Sequence, residues 1–76
     1  MNVLIYGTTN CTFCNAAKKL CQTLTLEHEY LELKDETDFE IFETQYGFKP
    51  RTVPQIVVDG ALVGSFNDFK NFLNQQ

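Results

Sequence analysis

Val3-Leu4-Ile5-Tyr6-Gly7-Thr8-Thr9-Asn10-Cys11-Thr12-Phe13-Cys14 joins two kinds of hydrophobic pattern within twelve residues. Val3 to Tyr6 is a run of apolar, β-favouring residues. It reads as a short buried strand, stopped by Gly7 and the polar Thr8, Thr9 and Asn10. Beyond it the period changes. Cys14, Ala17, Leu20, Cys21 and Leu24 recur at helical spacing, which predicts a helix from about Thr12 to Leu24 with Asn10 or Thr12 available as its cap. Cys11 and Cys14 fall where the strand turns into that helix.

The pattern continues outward from this unit. Tyr30, Leu31 and Leu33 predict a second strand over His28 to Leu33. Thr37-Asp38-Phe39-Glu40 matches a capping box, with a hydroxyl and a carboxylate placed to satisfy exposed helix N–H groups. The helix it opens carries Phe39, Phe42 and Tyr46 on one stripe and meets Gly47, a residue suited to a helix end. Lys49-Pro50-Arg51-Thr52-Val53-Pro54 holds two prolines too close together for regular structure. Gln55 to Val58 and Ala61 to Val63 read as strands, joined through Asp59-Gly60. Asp-Gly between apolar runs is a strong hairpin signal, because a type I′ turn needs positive φ at both central residues. Gly64-Ser65 then leads into Phe66, Phe69, Phe72 and Leu73, an amphipathic helix with Ser65 as cap.

The order is β-α-β-α-β-β-α. A helix joins the first two strands, so they are expected to run parallel, and the last two form an antiparallel hairpin. One four-stranded mixed sheet with helices on both faces covers both sides of these short apolar strands. At 76 residues the chain reads as a single domain, 1–76, with no repeat, linker or low-complexity stretch. A domain of this size buries only about 60% of the surface its unfolded chain exposes, so the seven Phe and three Tyr carry much of the core.

The net charge of −4 argues against nucleic acid, which demands clustered Lys and Arg. Eight of the ten acids lie between Glu27 and Glu43, and they read as a solvated acidic face. No basic segment followed by an apolar one opens the sequence, and no apolar run is long enough to span a membrane. The expectation is a cytoplasmic chain with no membrane partner. Three cysteines in such a chain do not form a structural disulfide framework; they point to chemistry, metal or packing.

Cysteines three apart at a helix start can bring their sulfurs within bonding reach. Cys11 lies near unpaired N–H groups and the positive end of the helix dipole, which favour a thiolate. Cys14, one turn in, is the more shielded. Cys11 is therefore the expected nucleophile and Cys14 the resolving thiol. The competing reading is a zinc site completed by Cys21 and His28. Cys21 lies about 10 Å along the helix axis from Cys14 at ~1.5 Å per residue, whereas zinc ligands all lie about 2.0–2.3 Å from one ion. Cys21 then reads as a packed core residue, His28 as a strand-edge residue, and no metal is expected.

The combination of Cys11-Thr12-Phe13-Cys14, Thr52-Val53-Pro54-Gln55 and Gly64-Ser65-Phe66-Asn67-Asp68, in this element order, resembles the glutaredoxin family of the thioredoxin fold over essentially the whole chain. The resemblance implies catalysis by Cys11 and Cys14 and glutathione as cosubstrate. It implies that Pro54 follows a cis bond and packs beside the cysteine pair, and that the backbone of Val53 pairs with the cysteinyl part of glutathione. It implies further glutathione contacts at Phe13, Arg51, Thr52, Gly64, Phe66 and Asn67, with Arg51 toward the glycyl carboxylate and the others framing the tripeptide. The partners it implies are glutathione and disulfide-containing proteins, ribonucleotide reductase among them, met by a monomer. Thr12-Phe13 stands where the family usually has Pro-Tyr, Ser65 where it usually has a second glycine, and Thr8 at a position often basic.

Two other readings share these residues. One is a redoxin of the kind that serves ribonucleotide reductase, recharged by thioredoxin reductase instead of glutathione. The other is a glutaredoxin holding a [2Fe–2S] cluster between two subunits through the first cysteine and glutathione. A proline at the position of Thr12 would hinder such a cluster. Its absence leaves the cluster as a secondary property, not an expected cofactor.

Overall fold

The computed structural model of the chain describes residues 1–75. Its elements follow the expected order: β1 (Asn2–Gly7), α1 (Thr12–Thr23), β2 (Glu27–Glu32), α2 (Glu36–Tyr46), β3 (Gln55–Val58), β4 (Ala61–Gly64) and α3 (Phe66–Asn74). The sheet order is β2-β1-β3-β4. β1 runs parallel to β2 and antiparallel to β3, and β3 pairs antiparallel with β4. The mixed sheet and its three helices form a thioredoxin fold.

Alternation along β1 assigns the two faces of the sheet. Val3 and Ile5 pair with Val58 and Ile56, and all four pack with Ala17 and Cys21 of α1 and Phe69 of α3 in one buried cluster. Residues directly opposite in antiparallel strands share a face, so this cluster places α1 and α3 on the same side. Tyr6 points the other way. Its ring meets Phe42 of α2 edge-on at 4.9 Å between centroids, and Phe42 also contacts Tyr46 and Phe48. Phe42 is 1% exposed, and it anchors α2 to the sheet together with Tyr46, whose ring lies 5.7 Å from that of Tyr6.

Several boundaries differ from the sequence reading. Cys11, not Asn10 or Thr12, caps α1, because Asn10 adopts a left-handed φ of 58° and Cys11 is the first extended residue before the helix. Asp35 caps α2 by accepting from the Asp38 N–H at 3.1 Å, while Asp38 accepts from the Lys34 N–H at 2.8 Å. Thr37 thus lies inside the first turn of that helix. β2 begins and ends one residue earlier than expected. Leu33 lies just past its end, where it is buried and donates its N–H to the Gly7 carbonyl at 2.7 Å. Leu24 is the C-cap of α1 and 48% exposed, outside the buried stripe.

Other expectations hold. Asp59 and Gly60 have φ of 50° and 85°, the doubly positive turn that Asp-Gly accommodates. Gly47 ends α2 at φ 88°. Ser65 caps α3 in a full capping box with Asp68.

Phe42→Ala is expected to destabilise the fold by about 3–5 kcal/mol, the usual cost of deleting a fully buried ring. Urea denaturation of the variant beside the wild type measures this, and a loss below about 1 kcal/mol would mean that α2 is held by something other than this ring.

Candidate functional site

The site is built where β1 hands over to α1. Thr8, Thr9 and Asn10 lift the chain out of the sheet, and Cys11 then turns it into the helix as N-cap. In that position its Sγ accepts the Cys14 backbone N–H at 3.2 Å, taking the place of the oxygen that usually caps a helix. Cys11 and Cys14 are joined as a disulfide with Cα atoms 5.2 Å apart. Cys11 is half-exposed, while Cys14 is wholly buried. Attack from outside can therefore reach only Cys11. The N–H already aimed at its sulfur, at the positive end of a helix, favours a charged Sγ once the bond is opened.

The second segment of the site is the loop before β3. Tyr6 pairs with Gln55, so the residues after Tyr6 run beside those before Gln55. That register brings the Val53 carbonyl to 3.9 Å from Cys11 Sγ. The Val53–Pro54 peptide bond is cis, and Pro54 is buried. Gln55 is also buried; its amide donates to the Thr52 carbonyl at 3.0 Å and ties down the loop before the strand.

A cavity of about 270 Å³ opens beside the pair, lined by Phe13, Thr52, Val53, Pro54, Ser65, Phe66 and Asn67. Three chain segments converge there: the start of α1, the loop before β3 and the start of α3. Phe13 is 59% exposed and its ring lies 6.1 Å from that of Phe66. The Lys70 ammonium sits 5.2 Å over the other aromatic, Phe66. An apolar mouth with a nearby cation and no acid in its lining suits an anionic thiol compound or an extended peptide.

Six of the eight residues expected to meet glutathione line this one cavity: Phe13, Thr52, Val53, Pro54, Phe66 and Asn67. The other two lie elsewhere. Gly64 faces the Asp68 carboxylate so closely that a Cβ there would sit 2.5 Å from Oδ2, and its φ of 121° also favours glycine. Arg51 is exposed and lines a neighbouring cavity of about 820 Å³ with Phe39, Phe48 and Pro50. That cavity adjoins the first through Thr52, which lines both. Ser65 joins the lining although it was not among the residues expected to meet glutathione; its place between Gly64 and Phe66, where the family usually has a second glycine, was the available signal.

The remaining candidates are structural. Cys21 is fully buried, and burial pushes its thiol up. The His28 ring bonds through Nδ1 to the Leu26 carbonyl at 2.8 Å, on the edge strand β2. Among the described residues, no three His, Cys, Asp or Glu side chains are grouped to hold a metal ion. Among these residues, too, no helix is long and apolar enough to cross a membrane.

The glutaredoxin family profile matches residues 3–63. Glutaredoxin 1 of Escherichia coli is 30% identical over 81 residues, covering 99% of this chain and 95% of that protein. The solution structure of reduced Escherichia coli glutaredoxin superposes with a TM-score of 0.85 at 28% identity, covering 100% of this chain and 96% of that one. A buckwheat glutaredoxin–glutathione complex shares the fold, with a TM-score of 0.77 at 23% identity over 96% of this chain and 68% of that one. The chain belongs to the glutaredoxin family, and its cysteine pair makes it a thiol–disulfide oxidoreductase.

Beside the cavity, the Asp68 carboxyl is held below its ordinary range. The Ser65 backbone N–H and then the Ser65 hydroxyl bond to it, against a smaller desolvation. A depressed carboxyl contributes stability that is full above the ordinary carboxylate range and is lost as pH falls through the lowered value. Urea midpoints at neutral pH and at about pH 3 should therefore fall further in the wild type than in Asp68→Asn. An equal fall in both would show that the cap does not depend on the carboxylate.

Proposed function

We propose that this member of the family is a glutathione-dependent oxidoreductase that reduces protein disulfides and glutathione mixed disulfides through Cys11 and Cys14. The observation that carries the reading is the convergence of a half-exposed Cys11, a buried Cys14 and one cavity on the Val53–Pro54 backbone. Cys11 thiolate attacks a substrate disulfide, forming a mixed disulfide on Cys11 and releasing one substrate thiolate. Cys14 thiolate then attacks Cys11 Sγ, closing the Cys11–Cys14 bond and releasing the second substrate thiol. Two glutathione molecules restore the dithiol in turn and leave as glutathione disulfide.

The cavity supports glutathione in particular ways. Val53 precedes β3 without being part of it, so its backbone is free to pair with an extended ligand as an added strand. Phe13 and Phe66 flank the ligand, and Asn67 lies at the end of the cavity formed by α3. Arg51, which lines the adjoining cavity, is the cation this reading assigns to the glycyl carboxylate. Every one of these groups comes from one chain, so a monomer suffices. The protein partners are disulfide-containing enzymes of a reducing compartment such as the cytoplasm, ribonucleotide reductase being the foremost candidate.

A coupled assay with glutathione, glutathione reductase and NADPH tests the reading. Turnover is expected for the wild type. Cys11→Ser should fall to background with every substrate. Cys14→Ser should keep glutathione mixed-disulfide exchange and lose protein-disulfide reduction. Turnover with thioredoxin reductase but not with glutathione would overturn the choice of reductant. An inactive Cys14→Ser beside an active Cys11→Ser would reverse the two roles.

A further inference from the structure

We propose that Gly7 and Tyr30 form a positioning slot for the Cys14 sulfur, and that this slot sets the rate of the Cys14-dependent closing step without serving reactions that need Cys11 alone. The proposal rests on the resolving role given to Cys14 above and extends it to two residues outside the cavity.

Gly7 is the last residue of β1 and is buried. It is absent from the glycines with positive φ, so its backbone conformation does not demand glycine. The space around it does. A Cβ at Gly7 would lie 2.5 Å from the Tyr30 hydroxyl oxygen and 2.7 Å from Cys14 Sγ. Both atoms therefore occupy the room that a side chain would take, and the sulfur rests against bare backbone on that side.

Tyr30 supplies the neighbouring wall. The parallel register sets it opposite Ile5, on the α1 face of the sheet. Its hydroxyl donates to the Thr8 carbonyl at 2.7 Å, tying β2 to the loop that starts just after Gly7 and ends at Cys11. The Lys18 ammonium lies 5.5 Å over the same ring, one helical turn beyond Cys14. The ring is thus fixed from the loop and from the helix at once. Burial, and then the charge of Glu32, push the Tyr30 hydroxyl up, so it stays a neutral donor.

The consequence lies in the closing step. There Cys14 thiolate attacks Cys11 Sγ, the bond to the substrate sulfur breaks, and that sulfur leaves with the electron pair and takes a proton from water. The step is intramolecular, so its rate follows alignment of the attacking sulfur, and misplacement by about 1 Å can cost as much as ~100-fold. Exchange of a mixed disulfide on Cys11 with an outside thiol never uses Cys14 and is indifferent to the slot.

Gly7→Ala and Tyr30→Phe test this. The closing step is read in single turnover as release of a fluorescent peptide thiol from the mixed disulfide on Cys11. Gly7→Ala is expected to slow release roughly tenfold or more and Tyr30→Phe by about three- to tenfold. In the Cys14→Ser background, reduction of the same mixed disulfide by dithiothreitol should stay within about twofold of the parent. Unchanged release, or an equal loss in both backgrounds, would overturn the proposal. If Gly7→Ala shows no thermal unfolding transition, Tyr30→Phe decides alone. Neither assay contains glutathione, so failure of glutathione turnover does not mimic failure of the slot. Fast release from Cys14→Ser itself would instead refute the resolving role.

Discussion

Antiparallel pairing of β1 with β3 decides where the two halves of the site meet. Cys11 and Val53 are far apart in sequence, yet Tyr6 opposite Gln55 leaves their flanking loops side by side at one end of the sheet. Because strand side chains alternate with period two, slipping this register by one residue would turn Ile56 and Val58 out of the cluster they share with Val3 and Ile5. The apolar core thus sets the distance between a sulfur and a carbonyl that take no part in it. The short hairpin through Asp59-Gly60 and the capping box at Ser65 then carry the chain back, so that Phe66 and Asn67 close the same cavity.

Charge is arranged around that end in keeping with its chemistry. The eight clustered acids belong to β2, α2 and the turn between them. On β2, an edge strand, Glu27 and Glu29 are exposed and discourage pairing with another chain. On α2, Glu36 pairs with Lys49, whose ammonium is pushed up first by that hydrogen bond. The cavity beside Cys11 has no acid in its lining. A developing thiolate or an anionic ligand therefore meets no like charge in the cavity lining itself, and the nearby Asp68 carboxylate is taken up by the Ser65 cap.

Element order, the parallel-then-hairpin topology and both cysteines were legible in the sequence because each rests on local chemistry: period changes, Asp-Gly, Gly47, Ser65. Caps were less legible. Lys34-Asp35-Glu36-Thr37-Asp38 offers several oxygen acceptors within one turn, and the helix takes the phase in which Asp35 is the cap and Phe42 is buried. The sulfur cap at Cys11 is invisible to preferences that rank oxygen acceptors first. The cavity was read mostly by family resemblance, and its differences are physical. Arg51 is exposed in the adjoining cavity, and the room at Gly64 is taken by the carboxylate of Asp68. The Gly7–Tyr30 contact could not be read at all, since it exists only once β1 and β2 are in register.

The third cysteine shows why this chain carries one redox pair and not a choice of several. Cys21 lies seven residues beyond Cys14 and faces the same core, packed with Val3, Ile5, Ala17 and Phe69. Desolvation there raises its thiol above the ordinary value, and no solvent reaches it. A thiol that does not ionise neither attacks nor exchanges. Cys14 is equally buried, but it sits in the first turn, bonded to a sulfur that is half-exposed. The difference between an inert and a reactive cysteine on one helix is therefore two turns of distance from the helix start. Cys14 reacts because its partner Cys11 brings the chemistry to it.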